Sequence, residues 1–256
     1  ELDLRDGKDE VPLAVTVLPP RAKGKKRGRV DLSRLDISHV LAKFSTAYSL
    51  KQKDLDRGFN LKVGASKLDG YILGPGETFS YNEVVGPRTK AQGYRMAHVL
   101  SDGEVVDGMA GGSCQLSSTL FAAAFFGGLE LSRSRPHTRP SSYIKMGLDA
   151  TVVYPSVDME LKNPYPFPVV LHFSVNQGKV KVRILGKARP WKKVVFERQV
   201  KETVPFKEVI REDKNIPAGR TVISQQGVPG FRLVRRRLLF KGDGKEPAST
   251  DSRDLN

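Results

Sequence analysis

Residues 108–143 read GMAGGSCQLSSTLFAAAFFGGLELSRSRPHTRPSSY and hold the only cysteine of the chain, Cys114. The cysteine follows a glycine pair, Gly111 and Gly112, and opens an apolar run from Leu116 to Phe126 that Gly127-Gly128 stops. The pattern predicts a loop, a buried helix over about Cys114 to Phe126, and a returning segment that carries His137. Ala122, Ala123 and Ala124 are strong helix formers, and a following glycine supplies the left-handed stop. Glycine before the helix lets the backbone turn tightly and approach a ligand. The free N–H groups and positive dipole end of such a helix point at the sulfur, and a helix N-terminus lowers a thiol pKa. A lone cysteine with a histidine elsewhere in the chain is a candidate nucleophile–base pair. The alternative stays open at this point: free cysteines are often buried and act as small hydrophobes.

With 256 residues, 39% hydrophobic and 28% charged, the chain is long enough for a sizeable core and one or two domains. A formal net charge of +15 predicts attraction to anions: nucleic acid, anionic lipid or acidic wall polymers. No zinc-ligand spacing, phosphate loop, helix-turn-helix pattern or aromatic-basic stacking platform is present. Neither a metal, a cofactor nor a nucleic acid is therefore expected. No apolar run is long enough to span a bilayer. One cysteine excludes an intramolecular disulfide but says nothing about compartment. The sequence begins at Glu1 rather than Met, and a leader or anchor is expected to be missing from it.

Working outward, residues 1–30 read as a polar extension or linker, with one possible strand (Val11 to Leu18) and a solvated basic cluster (Arg21 to Arg29). Val40 to Leu50 is ambiguous between helix and strand. Arg57 to Gly70 reads as a short amphipathic helix, and His98 to Val106 as a hairpin turning at Asp102-Gly103. After His137 the pattern becomes β, with runs at Ala150–Tyr154, Asp158–Leu161, Val169–Val175 and Val180–Leu185, the last two pairing as a hairpin. A boundary falls at Lys187 to Lys193. Beyond it, 194–243 reads as a small all-β module with strands at Val204–Ile210, Arg220–Ser224 and Phe231–Phe240. Arg235, Arg236 and Arg237 read as a solvated strand face, and 244–256 as a disordered tail.

Five blocks carry a resemblance: FSYNEVVGPRTKAQGY (79–94), GGSCQLSSTLF (111–121), RPHTRPSSY (135–143), GLDATVVY (147–154) and DMELKNPYPFPV (158–169). In this order and spacing they resemble the VanW domain over roughly residues 36–175. The resemblance implies an α+β fold over residues 31–190, in which the cysteine-bearing central helix packs on a mainly antiparallel sheet. The segment IPAGRTVISQQGVPGF within 194–243 resembles the glycine-punctuated G-five type of β module, which implies amino-sugar binding or an adhesive spacer.

What the VanW resemblance implies for function is a protein of the cell envelope, exported or anchored. For some members an L,D-transpeptidase activity on peptidoglycan is proposed, with the motif cysteine as nucleophile. Carried onto this sequence, Cys114 is the nucleophile, His137 the general base and Asp149 the acidic orienter. Arg88 is the candidate clamp for a stem-peptide carboxylate, since guanidinium matches carboxylate as a fork. Backbone N–H groups near Ser113 to Gln115 are the expected oxyanion donors, and Gln115 and Tyr143 the expected pocket walls. Ser117, Ser118 and Thr119 read as packing or capping groups. The chain departs from the family pattern at Ala110, where a glycine is common, and at Ser113, where an aliphatic residue is common. The expected partners are stem peptides, with glycan strands or anionic wall polymers. The competing reading is a non-catalytic wall-binding or scaffolding protein.

Overall fold

The computed structural model describes residues 35–101, 104–217, 219–242 and 246–255. The expected extension over residues 1–30, with its strand and basic cluster, lies outside the described residues, as does the turn at residues 102 and 103.

The chain enters β1 (His39–Ala47) and helix α1 (Leu55–Leu68), then passes β2 (Tyr71–Leu73), β3 (Thr78–Ser80) and the short α2 (Tyr81–Val85). A hairpin of β4 (Met96–Ser101) and β5 (Glu104–Met109) leads into α3 (Ser113–Phe126). Then come β6 (Glu130–Arg133), β7 (Glu160–Lys162), β8 (Val169–Asn176) and β9 (Lys179–Gly186). Three further strands close the chain: β10 (Lys193–Val204), β11 (Gly230–Phe240) and β12 (Ser249–Leu255). All pairings are antiparallel, in sheets ordered β1-β9-β8-β2, β3-β7-β6 and β10-β11-β12, beside the β4-β5 hairpin. The fold is α+β, with a small all-β region at its C-terminal end.

Helix α3 is the core of the first domain. It carries no charge, and from Gln115 to Phe125 every residue is buried, so the helix is enclosed on all faces rather than amphipathic. It packs on β1 and β9 and against α1. Its stop is a Schellman motif: Leu129 N–H bonds Ala124 O at 3.0 Å and Gly128 N–H bonds Phe125 O at 3.4 Å, with Gly128 left-handed at φ 69°. Hydroxyls supply the remaining ties. Ser117 Oγ donates to Ala150 O at 2.6 Å, Ser118 Oγ accepts from Ala150 N–H at 3.0 Å, and Thr119 Oγ1 meets Thr46 Oγ1 at 2.9 Å. These three residues are packing groups, as their sequence positions suggest.

Several expectations are corrected. The segment left open between helix and strand, Val40 to Leu50, is strand as far as Ala47, and alternate residues from Ala42 to Thr46 face the core. Ala150 to Tyr154 is not a strand: it makes only the isolated bridge Val153–Val157, since its backbone is pinned to α3 and to Arg135. Val204 to Ile210 and Arg220 to Ser224 are largely irregular, with Ile210 91% exposed and without a sheet partner. The presumed disordered tail is instead β12, a polar edge strand bonded in register to β11 from Leu233–Leu255 to Leu239–Ser249. Backbone ladder bonds hold it together with buried Leu255 and the bonds of Arg253 to Ser134, none of which its composition betrays.

The arginine run is also corrected. Period-two alternation along β11 turns Leu233, Arg235, Arg237 and Leu239 to one face, where all four are buried, while Arg236 is exposed. That face lies on the first domain. Arg235 sits over the rings of Phe121 and Phe125 at 5.3 and 5.5 Å, and Arg237 over Phe125 at 5.4 Å while donating to Leu129 O at 2.7 Å.

Candidate active site

The site forms where the N-terminus of α3 meets the loop that follows β6. Gly112 is the N-cap residue, left-handed at φ 112°, and no side chain caps the helix. Ala110 is also left-handed at φ 62°, a conformation that glycine adopts without strain, which accounts for glycine being common there. The resulting turn brings Cys114 into the first turn of α3, half-buried against the core, with Sγ 3.6 Å from Val152 O.

His137 and Asp149 arrive from the loop over 134–150. Asp149 Oδ2 accepts from His137 N–H at 2.7 Å and from the ring Nδ1 at 2.8 Å. Its other oxygen accepts from Gly147 N–H at 2.9 Å. Both side chains are nearly closed to solvent, at 5% and 7% exposure. With Nδ1 engaged, Nε2 is the ring nitrogen left free of the carboxylate, and thiol and imidazole lie close enough for each to shift the other's titration. Tyr143 Oη lies 3.4 Å from the same Nε2.

The charges favour a thiolate–imidazolium pair. Burial alone would push the Cys114 thiol up, but the hydrogen bond and charge of His137, the bond to Val152 and the charge of Arg88 bring it below the ordinary value. Burial alone would push His137 down, yet its bonds to Asp149 and Cys114 raise it to about 9. Asp149 is likewise held below the ordinary carboxylate value, because His137 and the two backbone N–H groups outweigh burial. Burial holds the Tyr143 phenol protonated, and the neighbouring thiolate adds to this.

The structure thus brings Cys114, His137, Asp149 and Tyr143 together. Arg88 stands near: its Nη2 donates to Asn82 Oδ1, its guanidinium lies 5.2 Å from the Tyr81 ring, and its Nε has no partner among the described residues. Two residues read as substrate-binding have their side-chain polar groups engaged within the protein. Gln115 is 1% exposed, and its amide is consumed internally: it accepts from Arg57 Nη1 at 2.7 Å and donates to Thr46 Oγ1 and Ala47 O at 2.9 and 2.8 Å. Ser113 closes the turn onto Ala110 O with both its hydroxyl, at 2.9 Å, and its N–H, at 3.3 Å. The N–H groups of Gln115 and Leu116 bond Gly112 O. Of the amides from Ser113 to Gln115, Cys114 N–H is therefore the one without an acceptor among the described residues.

Sequence reasoning missed Arg57. From the first turns of α1 it reaches Gln115 and lies 6.0 Å from the Tyr143 ring, near enough to Cys114 for each charge to affect the other. The available signal was a basic residue opening an amphipathic helix, which ordinarily means a solvated face. A cleft of about 270 Å³ flanks His137 and Asp149, lined also by Pro136, Arg139 and Met146 from one domain and by Phe231 and Leu233 from the other. Among the described residues no cluster of potential ligands could hold a metal ion, and no helix is long and apolar enough to cross a membrane.

Fold and site define a two-part protein, an α+β domain with a Cys–His–Asp constellation at a helix N-terminus followed by a β module packed against it. The family profile described as VanW like protein matches residues 56–185, and that of the G5 domain matches residues 196–251. The chain belongs to the VanW family and carries a G5 domain after the VanW domain. It is 37% identical over 131 residues to the uncharacterized protein YoaR of Bacillus subtilis, covering 51% of this chain and 43% of that one. It is 26% identical over 137 residues to the vancomycin B-type resistance protein VanW of Enterococcus faecalis, covering 52% of this chain and 50% of that one. The chain thus spans about half the length of the curated relatives it matches. No solved structure gives a significant match.

Proposed function

We propose that this protein acts at the bacterial cell wall as a cysteine acyltransferase on peptidoglycan, an L,D-transpeptidase that joins stem peptides through a thioester. The VanW and G5 domains and the two relatives support the coarser part, association with the wall. One observation carries the finer part: the sulfur of Cys114 at the start of α3 lies within electrostatic reach of an imidazole whose Nδ1 is held by a buried carboxylate. That is the arrangement of an activated nucleophile with an oriented base.

In this reading the Cys114 thiolate attacks the carbonyl carbon of the third residue of a donor tetrapeptide stem. The tetrahedral oxyanion takes the free Cys114 N–H, a donor worth about 3 kcal/mol in comparable pockets. The imidazolium of His137 protonates the departing amine, the C–N bond breaks, and D-alanine leaves behind a thioester. An amine of a second stem then attacks the thioester carbon, His137 takes its proton, and the C–S bond breaks to restore the thiolate. Arg88 and Arg57 lie within electrostatic reach of the sulfur and are the candidates to hold a stem carboxylate.

The test incubates the protein with purified muropeptides and reads the products by mass spectrometry. A cross-linked dimer with loss of one alanine is expected, and it should vanish with Cys114→Ala while sacculus binding persists. A trimmed monomer would mean that water is the acceptor. Cross-linking unchanged in Cys114→Ala would refute the reading and favour a scaffold.

A further inference from the structure

One residue of the G5 domain hydrogen-bonds the turn that holds Asp149. Arg235 on β11 is 2% exposed, and its Nη1 donates to Gly147 O at 3.2 Å. Gly147 N–H in turn donates to Asp149 Oδ1 at 2.9 Å, and Asp149 Oδ2 holds His137. A single peptide unit removed from that contact, the carboxylate that aims the imidazole is fixed. Gly147 is left-handed at φ 92°, and a Cβ there would lie 3.5 Å from Phe196 and 3.6 Å from Leu233, both of the G5 domain. The turn that presents Asp149 is thus shaped on one side by the second domain.

We infer that Arg235 is a positioning residue for the Cys114–His137–Asp149 constellation, and that the G5 domain is a working part of the site rather than a tethered spacer. The inference rests on the reading of Cys114 as a nucleophile served by His137. Three features support it. A guanidinium this deeply buried has to be compensated, and it is, by the two aromatic faces, by Gly147 O and by the neighbouring charges. Burial lowers Arg235 to about 10, so it remains cationic at neutral pH, with Asp251 and Asp149 favouring its charge and Arg253 and Arg237 opposing it. The two neighbouring arginines on this face bond elsewhere: Arg237 to Leu129 O at 2.7 Å and Arg253 to Ser134 O at 3.1 Å. They dock the domains, and of these three arginines only Arg235 bonds the turn that holds Asp149.

Arg237 therefore supplies the control. Cys114 is the only cysteine of the chain, so the rate of its alkylation by iodoacetamide reads the thiolate alone. The charged and titratable groups around that sulfur are His137, Arg88, Arg57, Tyr143 and Tyr81. The rate is measured on the full chain between about pH 5 and pH 10, alongside thermal unfolding. Arg235→Met is expected to move the midpoint upward by about one unit, a tenfold loss of thiolate on the acid side of the curve. Arg237→Met is expected to lower the melting temperature comparably and leave the midpoint in place. Arg235→Lys, whose ammonium lacks the planar fork, should shift the midpoint in the same direction by less, and it carries the test alone if Arg235→Met does not fold. An unmoved midpoint in Arg235→Met, or in Arg235→Lys where that variant stands alone, overturns the inference, as does an equal shift in Arg237→Met. Because alkylation needs no turnover, wild type that makes no cross-linked product sinks the transferase reading without touching this result.

Discussion

Asp149 grips His137 twice through one oxygen, at the backbone N–H (2.7 Å) and at ring Nδ1 (2.8 Å). The carboxylate therefore fixes both where the residue sits and which ring nitrogen is left free. Loss of one charged hydrogen bond costs about 2 kcal/mol, and Asp149→Asn loses the charge from three. Its folded pKa is depressed, so its share of stability is present above the unfolded value near 4 and disappears as pH falls through the folded value. His137 is protonated in both folded and unfolded chains in that range and does not blur the comparison. Urea titrations should find Asp149→Asn less stable than wild type at neutral pH by about 2–4 kcal/mol, with the gap closing toward pH 2. A gap independent of pH would contradict an ionised Asp149.

The thiolate–imidazolium pair fixes the pH range of the chemistry. The thiol is depressed, so alkylation of Cys114 should rise through a midpoint below that of a free cysteine, about 8.5. Replacing His137 with Ala removes the hydrogen bond and the charge that offset burial, and the midpoint should then move above about 8.5. Product formation from muropeptides should fall as pH rises through about 9, where His137 loses the proton it would give the leaving amine. Activity that keeps climbing past that point would require another acid.

Much of this was legible in the sequence because the signals were strong and local. An uncharged run between two glycine pairs can only be an enclosed helix, and α3 has the bounds that the run predicts to within one residue. The Cys–His–Asp trio came from family blocks whose spacing alone does not reveal proximity. What stayed hidden was decided by tertiary contacts. Gln115 looked like a pocket wall because it adjoins the cysteine, but one residue along a helix is a rotation of about 100°, which turns it inward to β1. Arg235 and Arg237 looked solvated because arginine is rarely buried, although the alternation Leu233, Arg235, Arg237, Leu239 marks one face of a strand. β12 lacks any apolar pattern and is held by its partner's backbone.

Gln115 offers a test that separates structure from substrate binding. Its amide joins Arg57, Thr46 and Ala47 at the foot of α3. Gln115→Ala would take a partner from the half-buried Arg57 and from the buried Thr46, which keeps Thr119, at a cost of about 1–3 kcal/mol in all. Thermal unfolding should show a loss of several degrees, since about 1 kcal/mol shifts a domain of this size by roughly 2–4 °C. Gln115→Glu can still accept from Arg57 but loses both donors, and should recover part of that loss. If Gln115→Ala melts like wild type yet weakens muropeptide binding, the residue faces substrate after all.

Gly111 sets how closely the turn before Cys114 can approach the β4–β5 hairpin. A Cβ at this position would lie 2.5 Å from His98 O and 2.9 Å from Ala97 Cβ, both far inside van der Waals contact, and the first obstacle is backbone that cannot rotate away. The hairpin or the turn has to move, and the turn carries the Cys114 N–H proposed to hold the oxyanion. Overpacking of this kind costs about 1–3 kcal/mol, so Gly111→Ala should fold with a lowered melting temperature. The larger effect should fall on chemistry: removing one such donor costs about 100-fold or more in kcat, and a displacement near 1 Å is enough to misalign it. The alkylation midpoint should hold, since His137 and Asp149 are held within the loop over 134–150 and not by this turn or the hairpin. Loss of product formation with an unmoved midpoint would place the damage at the oxyanion donor. A shifted midpoint with turnover preserved would put it at the nucleophile's environment instead and remove the reason for assigning the oxyanion to Cys114 N–H.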